Sequence, residues 1–112
     1  MSILSNTTDS NSVAVAVSLG SNLPYLNLSP RGIVLAAMES LRRISLEAEA
    51  SSLYLSEAID CPWGTGDFIN AAMVLRLASK TSASELLAVL QGIEADYGRQ
   101  RSAEQNQART LD

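Results

Sequence analysis

The order of hydrophobic segments along the chain predicts an α+β fold: a ferredoxin-like βαββα(β) plait with an antiparallel sheet and two helices on one face. Three apolar runs with strand character alternate in that order with two amphipathic segments that begin with helix-start signals. After the second helix the sequence becomes polar, so the last strand of the plait is expected to be missing from this chain. We expect a flexible N-terminal extension over residues 1–12 and one domain over residues 13–112, incomplete at its C-terminus.

The first strand is predicted over residues 13–19, where β-branched and small apolar residues follow one another without a polar face. Such a run is typical of a strand that is covered on both faces. It ends at the sequence Gly20-Ser21-Asn22, which favours a sharp turn. Nine of the first twelve residues are Ser, Thr, Asn or Asp, and this composition is the reason for predicting a flexible extension there.

Capping signals predict the two helices. Ser29 followed by Pro30 favours a helix start, and the segment from Ser82 to Glu85 has the capping-box pattern of a second helix, which Gly98 is expected to end. Apolar residues at helical spacing are Ile33, Val34, Ala37, Leu41 and Ile44 in the first helix, and Leu86, Leu90, Ile93 and Tyr97 in the second.

Two further strands are predicted between the helices, over residues 47–55 and 68–78. The segment that joins them, residues 56–67, contains the only cysteine and the only tryptophan. The last of the three strands is apolar except for Asn70 and Arg76. A sheet built from these three strands alone would leave an edge unpaired.

Composition excludes several classes of function. The 112 residues can form one core, and a net charge of −4 with a pI near 4.7 argues against a basic nucleic-acid-binding surface. The absence of histidine excludes a Ser-His-Asp triad and His-ligated metals, and one cysteine cannot form an internal disulfide. With no secretion signal and no apolar stretch of about 20 residues, we expect a cytoplasmic protein without a membrane partner.

The cluster that most suggests chemistry consists of Arg99, Arg101 and Arg109, followed by Asp112. A guanidinium group can bind two phosphate oxygens at once, and a carboxylate is the ligand through which Mg²⁺ is held beside phosphates. A solvated charged tail also explains these residues, and their spacing alone does not decide between the two interpretations.

Asn70 and Phe68 are expected to share one face of their strand, because strand side chains alternate. The amide of Asn70 either satisfies neighbouring backbone groups or binds a flat heterocycle, and the sequence leaves both open. Gly20 either lets a ligand approach the backbone or belongs to a plain turn. Tyr54 and Trp63 are interpreted as packing residues.

Five segments in order carry a family resemblance. They are VAVSLGSNL within residues 14–23, SSLYLSEAI at 51–59, DFINAAMVL at 67–75, LLAVLQGIEADYGRQR at 86–101 and ARTLD at 108–112. Together they resemble 6-hydroxymethyl-7,8-dihydropterin pyrophosphokinase, an enzyme family of folate biosynthesis. The resemblance implies an ATP-dependent diphosphokinase that transfers pyrophosphate from ATP to the hydroxymethyl oxygen of the pterin and releases AMP.

The resemblance also implies roles for residues on the nucleotide side. Arg99 and Arg109 would be catalytic residues that hold the ATP phosphates, with Arg101 on a segment that closes over the nucleotide. Gln91 and Glu94 match positions near the nucleotide. The implied partners are ATP and a hydroxymethyl dihydropterin, with no nucleic acid; we expect a monomer, with fusion to other folate-pathway enzymes left open.

On the pterin side, the resemblance gives Asn70 the role of the amide that binds the pterin and Phe68 that of the ring that stacks on it. The other pterin-binding residues would be Gly20, Asn22 and Ser56.

Asp112 matches the first of two Mg²⁺-binding aspartates, and two magnesium ions are expected in the complete enzyme. The second aspartate of the family's D-x-D motif would follow residue 112. Ala108 stands where the family usually has proline, and Glu57 and Ala58 replace a Pro-Pro pair. An alternative is therefore a catalytically degenerate member that acts as a pterin/nucleotide-binding or interaction module. A third interpretation is a regulatory plait that self-associates through its open sheet edge.

Overall fold

One antiparallel sheet and two helices make up the part of the chain that the structure, a computed structural model, describes: residues 1–8, 12–57, 67–98 and 111. The elements in order are β1 (Ser2–Thr8), β2 (Ser12–Ser21), α1 (Pro30–Arg43), β3 (Glu47–Ala50), β4 (Tyr54–Ser56), β5 (Phe68–Ala78) and α2 (Ala83–Asp96). The strands lie in the order β1-β2-β5-β3, and β4 also pairs with β5. The predicted α+β plait with an antiparallel sheet is confirmed.

The pairing of β2 with β5 is the centre of the sheet and runs from Ser12 opposite Ala78 to Ser21 opposite Ile69. Because side chains alternate along a strand, each strand gives every second residue to the core. The core-facing set is Val13, Val15, Val17 and Leu19 from β2, and Ala71, Met73, Leu75 and Leu77 from β5. We call this the helix-covered face of the sheet, and the opposite side the helix-free face.

The expectation that the first strand is covered on both faces is wrong. Ala14, Ala16 and Ser18 point to the helix-free face and are only half-buried. The helices pack on the other side, where their apolar residues join the core cluster. Two of these three residues are alanines, so β2 lacks the regular alternation of apolar and polar residues that marks a strand covered on one face.

Both helices begin where their capping residues predict. The Oγ atom of Ser29 accepts a hydrogen bond from the backbone N–H of Gly32 at 3.1 Å, and Ser82 Oγ accepts one from Glu85 N–H at the same distance. The buried faces are Ile33, Val34, Ala37, Met38 and Leu41 in α1, and Leu86, Leu90, Ile93 and Glu94 in α2. Ile44, predicted to be buried, is the C-cap residue of α1 and is exposed, because the helix ends before it can turn toward the sheet.

Strand β1 corrects the prediction of a flexible extension over residues 1–12. It pairs antiparallel with β2, from Ser2 opposite Ser18 to Thr8 opposite Val13. The edge of β2 that β5 leaves open carries backbone N–H and C=O groups that need partners, and β1 supplies them despite its polar composition. Ile3 also packs against the core.

The strand predicted over residues 47–55 is divided into β3 and β4. Ala50 pairs with Met73, and Tyr54 pairs with Asn70. Between these two pairs the residue number changes by four on the segment from β3 to β4 but by only three on β5. The additional residue is a β-bulge. At this point the hydroxyl of Ser51 replaces a backbone carbonyl and accepts the N–H of Ala72 at 2.9 Å, which interrupts the regular ladder.

The loop between β2 and α1 contacts the end of α2. Tyr25 and Leu28 exchange two backbone hydrogen bonds, of 3.1 and 3.0 Å, around a tight turn in which Leu26 has a φ of 53°. Gly98, with a φ of 77°, follows the C-cap of α2 as predicted. A Cβ atom on Gly98 would lie 2.3 Å from the ring of Tyr25, so only glycine fits beneath this ring.

Candidate functional site

Four of the predicted pterin-binding residues meet on the helix-free face, near the end of the β2–β5 pairing. Gly20 on β2 is opposite Asn70 on β5, and Ser56 on β4 is opposite Phe68. Because alternate residues share a face, Phe68 and Asn70 point the same way, as the sequence predicts. Their side chains both lie over Gly20, since a Cβ atom placed there would be 2.9 Å from Asn70 Oδ1 and 3.4 Å from the Phe68 ring.

Among the described residues, the Asn70 amide forms hydrogen bonds through its Nδ2 atom only. Its Nδ2 atom donates a hydrogen bond to Ser56 Oγ at 2.7 Å and a longer one, of 3.4 Å, to the backbone carbonyl of Phe68. Its Oδ1 atom accepts no hydrogen bond from the described residues. The first alternative for Asn70, that neighbouring groups satisfy the amide, therefore holds for its Nδ2 donor. The Oδ1 acceptor has no partner among the described residues, which leaves the second alternative, a bound heterocycle, open for that atom.

A flat ring with N–H groups at its edge has the chemistry that this arrangement can bind. Asn70 Oδ1 offers an acceptor and the ring of Phe68 offers a stacking surface, and Gly20, which has no side chain, leaves the room that these two side chains occupy. Phe68 and Asn70 are half-buried, so both keep an accessible surface. A position like this suits an aromatic heterocycle better than a sugar or an aliphatic chain.

Asn22, the fifth residue of the predicted pterin set, is buried just beyond the end of β2. It therefore lies close along the chain to Gly20 but does not belong to the exposed group around Asn70. Ser21, between them, points to the helix-covered face and is fully buried. Its hydroxyl has no hydrogen-bond partner within the described part of the chain.

Tyr54 is the residue of this region that the sequence interpretation misplaced. The sequence interpretation makes it a packing residue, but 53% of its surface is exposed, and it stands opposite Asn70 on the helix-free face. The physical reason is the bulge, which shifts alternation by one residue between β3 and β4. Trp63 lies outside the described residues.

The predicted phosphate-binding arginines and the predicted magnesium ligand belong to residues 99–112. Arg99, Arg101, Arg109 and Asp112 all lie outside the described residues, and their assignment stays a prediction. Leu111, which precedes Asp112, is fully buried in the core cluster.

Gln91 and Glu94, predicted to lie near the nucleotide, occupy different surroundings on α2. Gln91 is exposed to solvent. Glu94 is 2% exposed, and its carboxylate is 3.3 Å from the amino group of Met1. A buried carboxylate requires such a counter-charge. The assignment of Gln91 and Glu94 to the surroundings of the nucleotide stays a prediction.

The described residues contain no group of three His, Cys, Asp or Glu side chains that could hold a metal ion. Neither helix in the described part of the chain has the length and apolar character needed to cross a membrane.

Comparison with known proteins connects these features. A search of curated proteins finds no match. A family model described as 7,8-dihydro-6-hydroxymethylpterin-pyrophosphokinase (HPPK) matches residues 16–112, which include the last six residues of β2, all of β5, both helices and the segment that contains Arg99, Arg101 and Arg109. Members of this family are ATP-dependent diphosphokinases that bind ATP and a pterin, use magnesium and take part in folate biosynthesis. With most of its length matched and an antiparallel α+β fold of the expected type, the chain belongs to the HPPK family.

Proposed function

We propose that this protein transfers pyrophosphate from ATP to the hydroxymethyl oxygen of 6-hydroxymethyl-7,8-dihydropterin, giving AMP and the pterin diphosphate. Family membership supports the class of reaction. The observation that carries the choice of acceptor is the group around Asn70, where an available amide oxygen, an aromatic ring and a glycine lie together. A pterin is a flat heterocycle with N–H groups at its edge and therefore has the chemistry to occupy this group.

In this proposal the described residues orient the pterin. Asn70 Oδ1 accepts a hydrogen bond from the heterocycle, and the hydrogen bond from Nδ2 to Ser56 prevents the amide from rotating. The Phe68 ring stacks on one face of the pterin, and Gly20, without a side chain, leaves room for Phe68 and Asn70 to lie over β2. Asn22, buried just beyond β2, is the remaining proposed pterin-binding residue. Holding the acceptor in one orientation turns the transfer into a reaction between positioned groups, which is a large source of rate enhancement.

The residues that we propose to bind the nucleotide are assigned from the sequence and its family resemblance. Arg99, Arg101 and Arg109 bind the ATP phosphates through charge-assisted hydrogen bonds, and Gln91 lies on the exposed side of α2. Asp112 would hold magnesium, two ions in the complete enzyme, and magnesium supplies neutralisation of phosphate charge during transfer. We extend the proposal to a cytoplasmic monomer.

The test is an assay of AMP release with ATP, magnesium and 6-hydroxymethyl-7,8-dihydropterin. We expect Asn70→Ala to raise KM for the pterin at least tenfold, because each missing hydrogen bond to a buried ligand edge costs about 1–2 kcal/mol. Arg99→Ala is expected to lower kcat. Arg42→Ala, at an exposed position in the last turn of α1, is the matched arginine control and should leave both parameters unchanged.

Release of AMP at the same rate by the wild type, Asn70→Ala and Arg99→Ala proteins would contradict the proposed roles. Absence of any pterin-dependent AMP release by the wild-type protein would contradict the proposed reaction.

One observation favours a second candidate, a protein that binds pterin without transferring pyrophosphate. The carboxylate of Glu94, a residue predicted to lie near the nucleotide, is already paired in the interior with the Met1 amino group. Calorimetry with a pterin and a non-hydrolysable ATP analogue separates the two functions. Pterin binding without AMP formation supports the binding module, and rapid turnover eliminates it.

A further inference from the structure

The connection from β2 through α1 to β3 has a handedness that bears on the rest of the sheet. Strands β2 and β3 are both antiparallel to β5, so they are parallel to each other, with β5 between them. Helix α1 joins them across the helix-covered face. Connections of this kind between parallel strands are right-handed in nearly all proteins. The same rule limits where a strand that follows α2 can enter the sheet.

Handedness assigns one position to a strand that follows α2. Helix α2 packs on the same face as α1, but β5 runs opposite to β2. A right-handed connection from β5 therefore leads in the other direction, toward β2 and away from β3. Because β2 already pairs with β5, the entering strand lies against the outer edge of β2 and runs parallel to β5. We call this place the closing position of the sheet.

Strand β1 occupies the closing position. It pairs with the edge of β2 that β5 leaves open, and it is antiparallel to β2, which makes it parallel to β5. Both its place and its direction are therefore those of a strand entering after α2, although β1 precedes β2 in the sequence. The family model matches residues 16–112, so β1 lies outside the matched part of the chain.

The core beneath the closing position is incompletely filled. A cavity of about 30 Å³ lies between β1, the central strands and the start of α2. Its lining includes the apolar residues Ile3, Val13, Val15, Leu77 and Leu86. Interiors of native proteins are close-packed, and voids large enough for a water molecule are few. The cavity therefore marks a place where the present occupant of the edge fits the core imperfectly.

The composition of β1 differs from what an apolar lining favours. Its residues in register with Val13 and Val15 are Thr8 and Asn6, both polar residue types. Leu4, next to an irregularity in the register of β1, is 60% exposed. A strand with apolar residues opposite the two valines would bury more apolar area at this edge, and burial of apolar area is the main favourable contribution to folding.

We propose that the outer edge of β2 is a strand-binding site whose preferred occupant is a strand entering after α2, with apolar residues opposite Val13 and Val15. In this proposal β1 is a substitute that the entering strand displaces. An unpaired sheet edge invites aggregation, and β1 keeps the edge of β2 paired until the entering strand takes the closing position. The inference concerns the assembly of the sheet and does not depend on the proposed pterin reaction.

The experiment appends a second strand to the full chain, so that it competes with β1. Residue 112 is followed by about ten Gly and Ser residues, which span about 17 Å on average. They lead into the sequence of residues 1–8 with the substitutions Asn6→Val and Thr8→Val. The matched control carries the same linker and residues 1–8 unchanged. Hydrogen exchange with mass spectrometry measures the protection of β1, of the appended strand and of the central strands.

We expect the appended strand with two valines to become protected, and residues 2–8 to lose protection at least about tenfold, because the valines bury more apolar area at one shared edge. In the control, β1 should keep its protection, since only residues 9–11 separate it from β2 and its effective concentration is higher. Strands β2 and β5 should stay protected in both proteins, which shows that each is folded.

Each other outcome contradicts the proposal in a different way. If β1 stays protected and the appended strand does not, β1 is the lasting occupant of the edge. Protection of both strands means that the appended strand has found a different edge. Equal displacement of β1 by the control strand overturns the preference for apolar residues. Sedimentation measures the mass, and displacement found only in dimers overturns the assignment to a strand of the same chain.

A second pair of variants tests the cavity without an appended strand. In the unextended chain, Asn6→Val combined with Thr8→Val should raise the melting temperature by about 4 °C or more. The control combines Ser5→Val with Thr7→Val, at positions in register with two alanines of the helix-free face. We expect the control to shift the melting temperature by less than about 2 °C. Equal shifts for the two variants would overturn the role of the cavity.

Discussion

On β5, Leu75 is fully buried beneath the helices, whereas its neighbour Val74 is 50% exposed on the other face of the sheet. The same contrast holds along β2, where Val17 is fully buried and Ala16 and Ser18 are half-buried. Alternate residues of the same two strands therefore form a core on one face and an open surface on the other. At the end of that open surface lie Gly20 and Asn70.

This comparison indicates that substitutions at the proposed binding residues should disturb the fold less than substitutions in the core. The helix-covered face supplies the stability, because removing apolar area from water contributes about 25 cal/mol per Å². The helix-free face contributes little of that area, so its residues are available for a ligand. The backbone pairing of β2 and β5 is common to both faces and holds them in one register.

Leu75→Ala is expected to have the largest effect on stability. Truncating this fully buried side chain leaves a cavity, and such changes destabilise proteins by about 2–5 kcal/mol. Urea denaturation followed by circular dichroism measures the free energy of unfolding. Val74→Ala, the adjacent residue on the other face, is the control and should cost less than about 1 kcal/mol. Equal losses for the two variants would show that the faces do not differ.

The same chemical change on each face sharpens the comparison. Val17→Thr places a hydroxyl in the core, where an unsatisfied polar group costs about 1–3 kcal/mol. Val74→Thr places the hydroxyl in contact with water, so we expect a change within about 0.5 kcal/mol. Thermal unfolding of both variants provides the measurement. A stability loss for Val74→Thr as large as that for Val17→Thr would mean that the helix-free face is covered in solution.

Gly20→Ala is expected to affect binding more than stability. The added Cβ would lie 2.9 Å from Asn70 Oδ1, so the amide must move away from its position. We expect about a tenfold loss of pterin affinity, which corresponds to about 1.4 kcal/mol, measured by fluorescence titration. Alanine is better than glycine within a strand by about 0.5–1 kcal/mol, which offsets the cost of the shift. Ala16→Ser, on the same face of β2 but farther from the site, should bind normally.

Ser82→Ala has the smallest expected effect, because it acts on the helix that covers the core rather than on the core itself. The Ser82 hydroxyl accepts the N–H of Glu85, and loss of an N-cap costs about 1 kcal/mol. Denaturation measures the loss, and pterin affinity should not change. A large loss of affinity in this variant would indicate that α2 is coupled to the helix-free face.

The features that local chemistry controls could be predicted from the sequence. The starts of both helices follow from the N-cap residues Ser29 and Ser82. The end of α2 follows from Gly98, which adopts the positive φ common just after a helix. The shared face of Phe68 and Asn70 follows from strand alternation alone. The family motifs identify the class of reaction because five short segments in order are specific in combination.

Features that depend on contacts distant in sequence could not be predicted in the same way. Strand β1 forms because β2 has an open edge, and composition does not reveal that edge. Tyr54 turns outward because the hydroxyl of Ser51 substitutes for a carbonyl in the ladder. The contact between Gly20 and Asn70 depends on the register of two strands about fifty residues apart, which a single sequence does not determine.

That long-range pairing has a consequence for how the protein folds. Strands β2 and β5 are separated by a helix and two short strands, so their ends meet only after a long loop closes. Closing such a loop costs chain entropy before any contact is gained, and it slows folding relative to helical proteins of the same size. Gly20 and Asn70 become neighbours in the same step. We therefore expect the proposed binding position to form together with the core of the sheet, when β2 pairs with β5.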